Sequence, residues 1–248
     1  MINSKLELVK NQQWFYEFSL PDGTKTNCYL PKFVQPIHQT REKVLRFFLS
    51  QYGEKRTFKD ALDVSCHEGY YSIVLAEYFD KVIGIDKNED SILKAKLVTD
   101  VLGTSNISCF HTSLENWQED LQCDFVLCYG LIYHIENPIE IFRKLAKITK
   151  EAICIETQIL SLETHIQIED GNYLNQRETK GTFGLCWDYP SSKEGGLTDI
   201  ALVPSRDAIV NLLVFFGFFN IRFYSFEQGD YEQYIRGHRV IVYAEKNK

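Results

Sequence analysis

Residues 61–86 read ALDVSCHEGYYSIVLAEYFDKVIGID. An apolar run, ALDVS (61–65), leads into a polar turn that reaches Gly69. Residues 69–79 then place Tyr71, Ile73, Val74, Leu75 and Tyr78 for the buried face of a helix, and KVIGID (81–86) is a second apolar run. Strand, helix and strand in this order predict a βαβ unit, whose strands lie parallel in one sheet. Each run carries an acid near its end, Asp63 and Asp86. In an open α/β sheet, ligands bind beyond the carboxyl ends of the strands, where the strand order reverses. An acid about 20 residues past the turn is the expected partner of vicinal ribose hydroxyls. The segment therefore points to a nucleoside-bearing cofactor.

The turn also discriminates between such cofactors. A dinucleotide needs several glycines, because only a bare backbone brings its N–H groups up to a pyrophosphate. Here Gly69 is the single glycine between Asp63 and the helix. An acid at the end of the first strand would also repel a pyrophosphate. S-adenosylmethionine carries no phosphate and bears a sulfonium and an ammonium, so the electrostatics favour it over NAD.

Downstream the alternation continues. A helix is expected over 88–102, with Ile92, Leu93, Ala95, Leu97, Val98, Val101 and Leu102 at a 3.6-residue period and Gly103 as its stop. ISCF (107–110) and DFVLCY (124–129) are strands, Pro138 opens the next helix, and AICIET (152–157) is a fifth strand. Residues 158–200 break this rhythm: they are polar, glycine-containing and without sustained period, as functional loops inside compact domains are. Ser205 then caps an apolar helix that Gly217 ends, and strands follow at 220–226 and 238–245. Upstream, WFYEFSLPDGT suggests a strand entering a turn at Pro21-Asp22-Gly23, and REKVLRFFLSQY suggests an amphipathic helix. The expected organisation is one doubly wound α/β domain over 1–248, with an N-terminal cap (1–58) and a substrate-side insertion (158–200).

Composition excludes several classes. The 248 residues are 44% apolar and 25% charged, the balance of an ordinary globular protein, and 27 basic against 34 acidic residues give a net charge of −7. That charge disfavours nucleic-acid and anionic-membrane partners. The seven cysteines form no CxxC pair and sit mostly in apolar runs, the usage of a reducing, cytoplasmic compartment. The start, MINSKLELVK, has no secretory pattern, and the apolar stretch 209–219 is too short to span a bilayer. A soluble protein is expected.

The same residues carry a resemblance. DVSCHEG (63–69) is similar to the D-x-G-x-G-x-G motif of class I S-adenosylmethionine-dependent methyltransferases, with Asp63 and Gly69 matching and Asp86 in the ribose position. Within that family the chain most resembles the branch around the tRNA wobble-uridine carboxymethyltransferases and related small-molecule methyltransferases. WFYEFSLPDGTKT, LCYGLIYHIENP and ALVPSRDAIVNLLVFFGF carry this likeness. It implies a Rossmann-like seven-stranded sheet with the last strand antiparallel, S-adenosyl-L-methionine as cofactor, and transfer of a methyl group. Ser65 and His67 depart from the motif, standing where the family has glycine. Ser113 falls where the family often has an acid facing the adenine amino group, a bond that a hydroxyl can also accept.

Methyl transfer is an in-line displacement, and an acceptor hydroxyl or ammonium must lose its proton to a nearby base. The family places such groups at the exit of the fourth strand, which here offers Tyr129, Tyr133 and His134. His134 is the candidate base, Tyr133 shapes the pocket, and Tyr129 joins Asp63, Ser65, His67, Gly69, Asp86 and Ser113 on the cofactor side. Glu156, at the end of the fifth strand, is a candidate for orienting the acceptor. With His134 and His165 it could also bind metal, but no ligand-like spacing supports this and no metal is expected. Trp14, Phe15, Tyr16, Phe183, Trp187 and Tyr189 are candidates for an aromatic wall, which suits a planar or cationic acceptor. Asp188, beside Trp187, could add charge complementarity to that wall but is not counted among the site residues. The expected activity is methylation of oxygen or nitrogen on a small-molecule acceptor. A tRNA-modifying (carboxy)methyltransferase and a non-catalytic S-adenosylmethionine- or nucleoside-binding protein are the alternatives, and a homodimer is left open.

Overall fold

The computed structural model describes residues 2–54, 59–117, 121–160, 167–168, 177–188, 196 and 198–246. Its centre is a seven-stranded sheet. The first five strands are β1 (Asp60–Val64), β2 (Lys81–Asp86), β3 (Ile107–His111), β4 (Cys123–Tyr129) and β5 (Thr149–Gln158). A hairpin of β6 (Phe183–Trp187) and β7 (Ile200–Pro204) lies outside the sheet, which β8 (Phe218–Phe223) and β9 (Arg239–Lys246) complete. The order is β8-β9-β5-β4-β1-β2-β3. Strands β1 to β5 are parallel, and β9 runs antiparallel to both β5 and β8. The chain moves outward from β1 to β3 and then crosses back to β4, so the order reverses between β1 and β4.

Helices cover both faces. One face carries α2 (Pro36–Gly53), α3 (Tyr70–Ala76) and residues of α4 (Glu89–Leu102) around Phe48, Tyr52, Phe79, Phe125 and Tyr243. The other carries α5 (Pro138–Ile148) and α6 (Arg206–Phe215) around Leu62, Val126, Phe142, Leu145 and Leu213. With both faces covered, β4 is buried at every position, which explains its apolar run from Phe125 to Tyr129. The helix ends follow their chemistry. Asn88, Asn137 and Ser205 each accept a backbone N–H of the first turn, and Gly103 takes a left-handed φ of 70° after α4.

Three expectations change. Residues 2–10 form a helix, α1 (Ile2–Lys10), that the periodicity did not announce. WFYEF is not an extended strand: only Gln13–Trp14 pairs, with Asn27–Cys28, and Trp14 is fully buried with its indole N–H donating to the Val9 carbonyl. Residues 158–200 are not element-free, since β6 and β7 form a five-pair antiparallel hairpin. The turn at Pro21-Asp22-Gly23 is present, with Gly23 at φ 82° and its N–H on the Leu20 carbonyl.

The turn after β1 accounts for the departures at Ser65 and His67. Residues 65, 67 and 69 all take positive φ, at 58°, 51° and 81°. The backbone thus follows a glycine path, and two of its three left-handed positions are filled by residues that pay about 1–2 kcal/mol each to be there. Ser65→Gly is therefore expected to stabilise the fold by about 0.5–1 kcal/mol, after the extra entropy of unfolded glycine. The midpoint of thermal unfolding should rise by about 2 °C; an unchanged or lower midpoint would show that the serine side chain offsets its own strain.

Candidate functional site

A cleft opens beyond the carboxyl ends of β1, β2, β3 and β4, where the strand order reverses. It encloses about 910 Å³ including its mouth. The turn after β1 contributes Ser65 and His67, the end of β2 contributes Asp86 to Asn88, and the exit of β3 contributes Thr112 to Glu115. Tyr129 to Leu131 and Tyr133 to Ile135 follow from the exit of β4, with Phe15, Tyr16, Arg41 and Gly196 from elsewhere in the chain.

Asp86 is the buried acid of this wall. Its Oδ2 accepts the His67 N–H at 2.9 Å and its Oδ1 accepts the Asn88 N–H at 2.8 Å. Burial pushes its carboxyl above the usual range, and these two N–H groups work against that shift. Each oxygen retains further lone-pair capacity toward the cleft. Such a carboxylate can accept two vicinal hydroxyls without rearranging. Ser113 lines the same end, at the start of a short 3₁₀ turn (Leu114–Asn116).

Asp63 and Gly69 lie outside the cleft wall. Asp63 is buried beneath the turn, where its carboxylate accepts the Ser72 hydroxyl at 2.6 Å. Burial pushes its carboxyl up to about 7, partly opposed by that bond. Gly69 caps α3 and packs so closely on α4 that a Cβ would come within 3.2 Å of the Ala95 Cβ. Both shape the turn, whereas Ser65 and His67 face the cavity. His67 packs its ring against Phe15, with centroids 4.8 Å apart. Glu68, between His67 and Gly69 and unassigned from sequence, accepts the backbone N–H groups of Phe15 and Tyr16 at 2.7 and 3.3 Å. That carboxylate ties the N-terminal segment to the turn.

The fourth-strand exit divides its tasks. Tyr129 lines the cleft, but its hydroxyl lies 3.5 Å from the Cys154 Sγ, within the sheet. Tyr133 stacks near His134, with centroids 4.2 Å apart, and covers the Arg239 guanidinium at 4.8 Å. His134 faces the cleft and places Nδ1 3.0 Å from Asp188 Oδ2. Burial lowers the imidazole's pKa and Asp188 opposes this, leaving a net decrease. The neutral, proton-accepting form therefore prevails at neutral pH.

Glu156 departs from expectation. It is fully buried, does not line the cleft, and cannot orient an acceptor. Its carboxylate accepts from Arg41 Nη2, from Arg239 Nη1 at 2.9 Å and from the Tyr234 hydroxyl at 2.8 Å. Burial pushes its carboxyl up, but the two guanidiniums more than compensate and hold it below the usual range. The residue that reaches the cleft from this cluster is Arg41, which sequence reading left as part of an amphipathic helix. Of the aromatic candidates, Phe15 and Tyr16 line the cleft, whereas Trp14, Phe183 and Trp187 do not; Trp187 is 76% exposed. Tyr189 and His165 lie outside the described residues. Among the described residues, no three His, Cys, Asp or Glu side chains cluster as metal ligands would, and no helix is long and apolar enough to cross a membrane.

A family model described as a methyltransferase domain matches residues 35–196, which include every lining residue of the cleft except Phe15 and Tyr16. The chain belongs to the class I S-adenosylmethionine-dependent methyltransferase family. This methyltransferase domain is 30% identical over 114 residues to a tRNA/tmRNA (uracil-C(5))-methyltransferase of Campylobacter lari, a match covering 46% of the chain and 30% of that protein. It is 25% identical over 163 residues to a tRNA U34 carboxymethyltransferase of Actinobacillus pleuropneumoniae, covering 65% and 45%. With a ubiquinone biosynthesis O-methyltransferase of Aliivibrio fischeri it shares 26% over 121 residues, covering 47% and 50%. The chain thus spans half or less of the length of these curated relatives. Among solved structures, the N-terminal domain of EvdMO1, crystallised with SAH and D-fucose, superposes with a TM-score of 0.70 at 18% identity, covering 99% of this chain and 95% of that one. Magnesium protoporphyrin IX methyltransferase of Synechocystis PCC 6803 with bound SAM gives 0.58 at 17%, covering 88% and 86%. At these identities the likeness is one of fold.

The cofactor of the family is S-adenosylmethionine, and the cleft has the chemistry to hold it. Asp86 presents a pre-oriented carboxylate able to accept hydroxyls, Ser113 lies in the same wall, and the turn lacks the glycines that a pyrophosphate requires.

Proposed function

We propose that this chain methylates an oxygen or nitrogen of a small-molecule acceptor, using S-adenosylmethionine as donor and His134 as general base. The observation that carries the reading is the presence of Asp86 and His134 in the walls of one cleft. S-adenosylmethionine, when bound, supplies an electrophilic methyl group on a sulfonium. The protein's work is then positioning and proton removal. Asp86 and Ser113 hold the nucleoside end, and Phe15 and Tyr16 close the side that the Glu68 carboxylate ties down, excluding water. His134, neutral and lone-paired, takes the proton from the acceptor hydroxyl or ammonium as its nucleophile engages. Ser65 and His67 keep the turn's glycine path without glycine, which supports a working turn over a disabled one.

Two of the relatives reported above are named for tRNA, which favours a tRNA substrate as the second reading. The net charge of −7 weighs against it, because RNA affinity rests on neutralising phosphates. Salt-dependent retention of tRNA at low ionic strength would favour that second reading.

The test is calorimetric titration with S-adenosylhomocysteine, followed by transfer of labelled methyl to a panel of hydroxyl and amine acceptors. His134→Gln should lower turnover about 10²–10⁴-fold while leaving S-adenosylhomocysteine affinity unchanged. Turnover by His134→Gln at the parent rate would remove His134 from the mechanism, and absence of binding by the parent protein would overturn the donor assignment.

A further inference from the structure

The residue that holds His134 comes from the hairpin, not from the sheet. Asp188 directly follows β6, and its own N–H donates to the Asp199 carbonyl at 2.8 Å, which fixes it at the hairpin's mouth. Its Oδ2 receives two groups, His134 Nδ1 at 3.0 Å and the Gly196 N–H at 2.7 Å. The hairpin is anchored beside the imidazole by a second bond, from the Leu202 N–H to the Ile135 carbonyl at 2.9 Å. Gly196 is wedged into the junction. A Cβ there would come within 2.4 Å of both Asp188 Oδ2 and the His134 carbonyl, so no other residue fits without parting them. Lys87, one residue past Asp86, donates to the Gly196 carbonyl and ties the same point to the cofactor side.

We propose that Asp188 is a positioning residue for His134: as an acceptor-only carboxylate it keeps the proton of the neutral imidazole on Nδ1, leaving the Nε2 lone pair to take the acceptor's proton. The base is then held from outside the sheet, by the mouth of the hairpin and Gly196. This rests on the reading of His134 as general base and adds what sets its tautomer. Among the described residues, the charged and titratable groups around the imidazole are Asp188, Arg239, Lys87 and the Tyr133 phenol. Asp188 is the one acid among them, so its removal has a predictable sign.

The experiment needs no acceptor. Nitrogen-15 NMR of histidine-labelled protein reports tautomer and titration ring by ring, with the His134 signals identified by their loss in His134→Gln. The parent protein should show His134 with its proton on Nδ1. In Asp188→Ala and Asp188→Asn that preference should weaken and the titration should move to lower pH, because the opposing acid is gone. Gly196→Ala should weaken the tautomer preference with the carboxylate retained. Should Asp188→Ala fail to fold, Asp188→Asn keeps an acceptor for Gly196 and decides the matter. With an acceptor in hand, Asp188→Asn should lower kcat about 10²-fold with little change in KM. An unchanged tautomer and titration in folded Asp188→Asn would overturn the proposal. Parallel calorimetry with S-adenosylhomocysteine separates the two failures: binding with an indifferent His134 sinks the positioning role alone. The predicted tautomer without binding sinks the donor assignment alone.

Discussion

Glu156→Ala is expected to cost about 3–5 kcal/mol of stability, the range for removing one partner of a buried ion pair. In the parent protein one carboxylate stands between two guanidiniums, Arg41 and Arg239, all three buried, with the Tyr234 hydroxyl as an additional donor. Without Glu156 the two cations lose their shared counter-charge, and a tyrosine hydroxyl loses its acceptor. At about 2–4 °C per kcal/mol for a chain of this size, the thermal midpoint should fall by roughly 10 °C. The pH dependence has a definite sign. The folded carboxyl lies below its unfolded value, so its contribution is present above the unfolded pKa and is lost as pH falls through the folded one. The gap between parent and Glu156→Gln should therefore narrow in acid, below about pH 4. Denaturant titrations across pH measure both effects; a loss under about 1 kcal/mol at neutral pH would mean that the guanidiniums are as well solvated as surface groups.

Asp86→Ala is expected to weaken S-adenosylhomocysteine binding roughly 100-fold, equivalent to about 2.7 kcal/mol. Two effects add. The ribose loses a charged acceptor, a bond worth about 1.5–3 kcal/mol. The turn also loses the carboxylate that receives the His67 and Asn88 N–H groups and keeps the ends of β1 and β2 in register. Asp86→Asn retains one carbonyl oxygen and should fall between the two. Calorimetry at matched ionic strength measures the series. Equal affinities across it would place the nucleoside elsewhere in the cleft.

The sheet was legible because local pattern and burial agree. KVIGID and CDFVLCY are apolar where the strands are covered on both faces, and residues 89–102 repeat at 3.6 because one face of α4 is buried. The cleft's near side was legible for a related reason: Ser65, His67 and Asp86 lie within one βαβ unit, so chain order nearly equals spatial order. The rest depends on distant pairs. Arg41 meets Glu156 across 115 positions and His134 meets Asp188 across 54. Within their own segments these are a basic residue on an amphipathic helix and an acid beside an exposed tryptophan, and neither carries a local signal. Glu156 was misread because a strand-end acid looks the same whether it faces a ligand or two buried arginines.

The antiparallel direction of β9 has a consequence for how the protein is made. Because that strand runs opposite to its neighbours, its first residue, Arg239, stands at the cleft end of the sheet, opposite Gln158 in register. The second cation of the Glu156 cluster is thus synthesised only after all five parallel strands. A growing chain can pair β1 to β5 and still hold Glu156 with one partner missing. Contacts of such long sequence separation form late and slowly, so the cluster that seats Arg41 at the cleft is expected to be completed after the parallel strands have paired. Partly made chains expose an incomplete cleft, and that interval is when this protein most needs protection from aggregation.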